Sequence, residues 1–390
     1  MERIRDVSNH VPDVLSLPPK WLHLYEDFVT KNASSVSQIE SALRSLTYII
    51  PGRFRESELA SESLHSGIQL LSLYHDSLLA KAVSRLPLGQ RPHSTPHNRY
   101  TRYWTARSPL YARLAQMIQV VQYTELLLEM AAARRGNKAR WRAVVLLEMI
   151  KAICRLLLLR VTKSRPLLSP PLPEREVDPR TLEEPRSEEE ELEEDGMPSR
   201  STSSDEQGWT MPRTGLRLPG LPNSQDITSY LLARVLTADD IKPPKSLLHR
   251  TSGRGQAAEI LYILRPVIYA LAMQYWSSRA EPKQRSSWKP WLIGLGIEYG
   301  ARQLAKADFQ DRVAGGLRGM TGLEREELRR RRWAMGWWAL RGAFYDNVTK
   351  SWLNGLTNNL RNKPLLNMVG GVIEDYEFLW ENYHFATATM

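Results

Sequence analysis

The chain has 390 residues, 42% of them hydrophobic, which is enough apolar material for sizeable buried helices and for two or three domains if globular. Its 53 Lys and Arg outweigh 43 Asp and Glu, and the net charge of +10 admits a nucleic acid, an anionic membrane or an acidic partner without choosing among them. A single cysteine, Cys154, excludes an intrachain disulfide and with it a disulfide-stapled secreted domain.

Residues 1–21 carry charges and no continuous apolar run, a pattern that predicts no secretory signal peptide. From Leu22 the pattern is helical: Val36, Ile39, Leu43, Leu46 and Ile50 recur at steps of three and four, and Pro51-Gly52 ends the stripe. A second helix is predicted over residues 56–84, with Leu64, Ile68, Leu71 and Leu78 on one face. Residues 85–107 read as a polar connection, because Pro87, Pro92 and Pro96 interrupt it and Tyr100, Tyr103 and Trp104 alternate with Arg99, Arg102 and Arg107. We read it as a surface or membrane-interface anchor rather than a nucleic-acid site.

Two long helices follow, over 109–134 and 138–163. In the first, Gln119, Gln122, Glu125 and Glu129 gather on one side. In the second, Glu148, Lys151 and Arg155 are spaced three then four apart, so the charges share one narrow stripe in an otherwise apolar helix, and Glu148 can pair with Lys151. Twenty helical residues span about 30 Å, the thickness of a hydrocarbon core. Charges at membrane depth are costly, so spanning, half-inserted and soluble versions all stay open.

Composition changes at 163–254. Prolines recur, an acidic run occupies 187–196, and little apolar surface is available to offset the entropy of ordering. This segment reads as a long disordered acidic linker between helical regions 1–162 and 255–390.

The second helical region opens with two apolar segments, over 255–299, around a polar turn. Glu259 and Arg265 interrupt the first, and Pro266 is expected to kink or end it. Trp288-Lys289-Pro290-Trp291 begins the second, with Pro290 in a first turn where its missing N–H is tolerated. Gly294 and Gly296 fill only two positions of a dinucleotide fingerprint and read as close helix packing. Next, Glu326–Arg330 and Glu327–Arg331 are i,i+4 pairs, and Arg329–Arg332 runs into Trp333, Trp337 and Trp338. A basic run beside a Trp-rich helix fits an anionic membrane surface.

The fold class is therefore all-α, a multi-helix membrane-associated protein. No P-loop, HExxH, G-x-S-x-G or CxxC pattern is present, and the eight histidines offer no ligand cluster. No catalytic, cofactor or metal site is assigned.

The ordered series LYEDFVTKN (24–32), RSLTYIIPGRF (44–54), AEILYILRPVIYAL (258–271), RSSWKPWLIGLGIEY (285–299), GLEREELRRRRW (322–333) and RGAFYD (341–346) resembles the peroxin-16 family, in a fungal form. That resemblance implies a noncatalytic factor of the peroxisomal membrane, reached through the endoplasmic reticulum. It implies help in inserting or sorting other peroxisomal membrane proteins. The partners it implies are membrane lipid, the peroxin-3 docking protein and the peroxin-19 chaperone, with no nucleic acid. Arg285, Trp288, Lys289, Pro290, Trp291, Arg329, Arg330, Arg331, Arg332 and Trp333 are the candidate membrane or partner contacts. The competing expectation is a soluble helical scaffold that buries the same stripes in its own core.

Overall fold

A computed structural model describes residues 25, 28–29, 32–49, 58–85, 94–175, 242–279, 288–312, 316–361 and 376–388. The acidic linker's centre, 176–241, and Arg285 lie outside the described residues. Among those described, the regular elements are helical. They are α1 (Ala33–Ile49), α2 (Glu58–Arg85), α3 (Pro96–Arg107), α4 (Pro109–Ala133), α5 (Asn137–Val161), α6 (Arg254–Arg279), α7 (Trp288–Arg312), α8 (Gly322–Ala334) and α9 (Lys350–Arg361).

The helices α1, α2, α4, α5, α6 and α7 pack side by side in that order, each against the next. Short connections force antiparallel neighbours: only residues 134–136 separate α4 from α5. Across the long linker the same geometry is set by packing. The Thr251 amide donates to Ser164 O at 2.7 Å, which places the start of α6 at the end of α5. Gly255 lies against Asp308 and Arg265 against Glu298, so α6 and α7 also run in opposite directions. Helices from both halves of the sequence thus form one compact unit, Met1–Leu182 with Pro244–Met390.

A second layer covers one face of this row. The stretch read as a polar connection holds helix α3 instead. Thr95 caps it, accepting from the Asn98 amide at 3.2 Å, and Pro96 takes the first helical position, where its ring costs nothing. Its Tyr100 and Trp104 then join Tyr111, Ile118, Leu158 and Leu323 in a buried cluster. Each such aromatic or Leu side chain contributes about 1.5–3 kcal/mol by leaving water. Both ends of the linker segment are packed as well. Leu168, Leu247 and Leu248 are buried in the same cluster, and the buried Arg165 donates from Nη1 to Thr162 O at 2.7 Å. The α8 start is fixed by a capping box: Thr321 Oγ1 accepts from the Glu324 amide while Glu324 accepts from the Thr321 amide.

Pro266 does not end α6, which runs continuously from Arg254 to Arg279. Pro266 is buried, and α6 is flanked by α5 on one side and α7 on the other, so neighbours hold the helix through the lost hydrogen bond. Over Arg254–Trp276 it is long and apolar enough to cross a membrane, and more than half of that stretch is buried in the protein.

Candidate functional site

The start of α7 brings most of its tryptophan motif into one aromatic cluster. Trp291 stacks on Phe344 with centroids 5.4 Å apart, and its Nε1–H donates to Trp338 O at 2.9 Å. Trp288 meets Trp291 edge to face at 5.6 Å and is 40% exposed. Lys289 is exposed and Pro290 is buried. Spaced one turn apart, the two indoles share a helix face, yet tertiary packing gives one a polar partner inside and leaves the other at the surface. Gly294 makes the cluster possible: a Cβ there would sit 2.2 Å from the Trp338 ring. The Trp338 indole N–H in turn donates to Glu298, which pairs with Arg265 at 2.7 Å.

The arginine run on α8 is divided by helix phase. Arg331 is mostly shielded from solvent, held by Glu259 at 2.6 Å and Glu327 at 3.0 Å, with its guanidinium over the Tyr262 ring at 4.4 Å. Burial pulls its pKa down, but the two carboxylates outweigh that and raise it. Arg330 reaches Glu326 at 3.2 Å and Glu174 at 3.4 Å. Arg329 and Arg332 face solvent, and Trp333 is 78% exposed. The two i,i+4 pairs form as their spacing predicts.

The polar stripes of α4 and α5 meet in the interior. Lys151 Nζ donates to Glu125 at 2.6 Å and to Glu148 at 3.0 Å, and all three side chains are buried. Burial pushes the Glu125 carboxyl up to about 7, against the pull of Lys151. Burial acts upward on Glu148 too, but Lys151 and His384 outweigh it and hold that carboxyl well below the usual range. The buried Arg155 acts on both carboxylates as well, so two cations offset them in this low-dielectric interior. Glu129, one turn on, accepts from the backbone amides of His384 and Phe385, both at 2.8 Å. The sequence set Glu129 on the polar side of its helix; its partner, 255 positions away, left no local signal.

That C-terminal turn identifies the covered face of the row. It touches Glu129 on α4, Lys151 on α5 through the Phe385 ring at 4.8 Å, and Tyr269 on α6 through the His384 ring at 5.7 Å. Trp338 covers α7 on the same side. At about 100° per residue, the opposite stripes are exposed. They carry Leu110, Met117, Val120 and Leu128 on α4, and Leu146, Met149, Ile153 and Leu157 on α5. Leu271 and Tyr275 continue the surface on α6, and Leu292, Ile293 and Tyr299 on α7. Together they expose on the order of 1,000 Å² of apolar surface, beyond the roughly 300–600 Å² of the largest patch on a typical soluble monomer. Between their ends these stripes contain no Asp or Glu; the exposed Asp311, in phase with Ile293, stands at the end of α7 and pairs with Arg254 at 3.5 Å. Exposed basic residues flank them: Arg113, Arg160 and Lys306 at one end of the row, Arg142 and Lys289 at the other. Sequence periodicity found these helices but not this face, because α4 to α6 are apolar on more than one side and only packing shows which side stays open.

Comparison with known proteins gives a consistent set of relatives. The family described as "Peroxisomal membrane protein (Pex16)" matches residues 23–382. The chain is similar to peroxisomal membrane protein PEX16 of Schizosaccharomyces pombe, 23% identical over 346 residues that cover 86% of this chain and 90% of the relative. It is also similar to peroxisome biogenesis protein 16 of Arabidopsis thaliana, 23% identical over 372 residues, covering 88% of this chain and 94% of the relative. Peroxisome biogenesis factor 16 of Dictyostelium discoideum matches at 26% identity over 132 residues, 33% of this chain and 30% of that protein. No solved structure matches the chain.

Proposed function

The chain belongs to the Pex16 family of peroxisomal membrane proteins, and from that premise we propose that it is a peroxisome biogenesis factor that supports insertion or sorting of other peroxisomal membrane proteins. The family match across 23–382 carries this reading, since it spans both helical regions rather than one motif. The role is noncatalytic: the chain holds a place at the peroxisomal membrane, reached by way of the endoplasmic reticulum, and recruits import partners there. A peroxin-3 docking protein and a peroxin-19 chaperone are the proposed partners. A fungal origin belongs to the same proposal, the relatives spanning fission yeast, a plant and an amoeba.

The described geometry suits a recruiting role. Its buried charged groups are largely committed to internal pairs, as at Lys151, which stiffens the unit. Arg329, Arg332 and Trp333 stand exposed on α8, and Trp288 and Lys289 on α7, as proposed contacts for lipid or partner.

The test is genetic. Removing the gene is expected to abolish import-competent peroxisomal membranes, and re-expressing the full chain to restore them. Normal numbers of such membranes in its absence would overturn the role. Binding of the purified full-length chain to peroxin-3 and peroxin-19 tests recruitment separately. Loss of peroxisomes without either association would remove the recruiting step and keep the biogenesis role.

A further inference from the structure

We propose that α4–α7 lie flat in one leaflet of a bilayer, open face down, and that no helix of this row crosses the membrane. This rests on the membrane reading above and adds how the chain meets the lipid. The first observation is the surface itself: four adjacent helices wide, apolar, free of acidic side chains between its ends, and predominantly basic at both ends, where Asp311 is paired with Arg254. A protein partner of that area would be met by a hydrogen-bonding group every 100–200 Å² or so. Across this face the hydrogen-bonding side chains are few: Gln116, Thr124, Gln303 and the Tyr275 and Tyr299 hydroxyls. Hydrocarbon asks for no such groups, and lipid phosphates match Arg113, Arg160, Arg142 and Lys289 at the rim.

The second observation sets the orientation. Arg142 and Arg160, at the two ends of α5, are about 27 Å apart along the helix axis. Upright, that length would have to fill the hydrocarbon core, and the covered face would go with it. Charged groups are fastened over the covered face at both ends. Near the start of α6, the Arg331–Glu259 pair holds α8 with its exposed Arg325, Arg329 and Arg332. Near the start of α7, the Trp291–Phe344 stack holds the turn that carries Asp346, and Lys350 holds Glu381 at 3.0 Å. An upright row would take both sets into lipid. Helix α6 cannot cross alone either, because it would leave Arg331 and Glu298 without Glu259 and Arg265. Laid flat, the row keeps the exposed charges in water and leaves the internal pairs closed.

The experiment uses the full chain with Cys154→Ala, added to sealed vesicles of phosphatidylcholine and phosphatidylinositol. Arg142→Cys, Arg160→Cys and Ile153→Cys are probed singly with a membrane-impermeant maleimide. The protein is expected to float with the vesicles. Positions 142 and 160 are expected to react from outside at rates within about twofold of each other, and position 153 to slow at least tenfold on vesicle binding. Reaction at only one end until detergent opens the vesicles would establish crossing and overturn the proposal. So would full reactivity at position 153 on vesicles, or failure to float. A chain that does not float yet is required for peroxisomes loses only this proposal; one that floats as expected and is dispensable loses only the proposed function.

Discussion

Placing two carboxylates on the open face gives the sharpest energetic test of it. Leu146 is 60% exposed and Ile153 51% exposed, two turns apart on α5, so Leu146→Asp with Ile153→Asp leaves the core untouched. On insertion scales an apolar residue contributes about −0.3 to −0.6 kcal/mol at the bilayer centre and Asp costs about 2.5–3.5 kcal/mol, a swing of about 3–4 kcal/mol per site. A flat helix sits only about 5–10 Å into the headgroup boundary, so roughly half applies, or about 4 kcal/mol for the pair. That is close to a thousandfold in the vesicle binding constant. The folded state loses chiefly helix propensity, on the order of 1 kcal/mol in all. Flotation against a lipid series measures the first quantity and thermal melting by circular dichroism the second. Binding weakened less than tenfold in a variant of unchanged helicity would refute the reasoning.

Gly294→Ala drives a methyl into the Trp338 ring and is expected to cost about 1–3 kcal/mol, read as a lowered Tm. Arg331→Met leaves Glu259 and Glu327 buried without their cation and is expected to cost about 3–5 kcal/mol, whereas Arg329→Met, two residues away and exposed, stays within about 0.5 kcal/mol; equal effects in denaturant unfolding would contradict the division of that run by helix phase. Burial pushes the Glu62 carboxyl up to about 7, so the folded state prefers it protonated. Stability is then full below about pH 4.5 and falls as pH rises toward 7, and Glu62→Gln removes that slope; the gain at pH 8 is about 1–2 kcal/mol, discounted for partial solvent exposure.

Much of this arrangement is legible in the residues. The α4 and α5 limits follow from Ser108-Pro109 and Gly136, and the Glu148–Lys151 pair from its spacing alone. Legibility fails where long-range packing decides. Helix α3 hides among prolines and arginines, although Thr95-Pro96 is a sound start signal and Tyr100 with Trp104 gives it a buried face. The linker's proline content conceals Leu168, Leu247 and Leu248, which need α3, α4 and α8 to be buried. Trp288 and Trp291 look equivalent in the sequence; Phe344 and the Trp338 carbonyl, far along the chain, set them apart. The resemblance indicated the family correctly, and local pattern indicated helices, but neither pointed to a row with one bare side.

The clasp between Glu129 and the amides of His384 and Phe385 also sets a clock. Its halves are 255 positions apart. At roughly 5–20 residues per second, a ribosome delivers the second about ten to fifty seconds after the first. Through that interval α4 has a carboxylate and no amides to receive it, and the apolar side of the row is complete only when α7 ends at Arg312. Closure therefore belongs to the finished chain. Until then the nascent polypeptide lacks the clasp that closes the side of the row opposite its apolar surface.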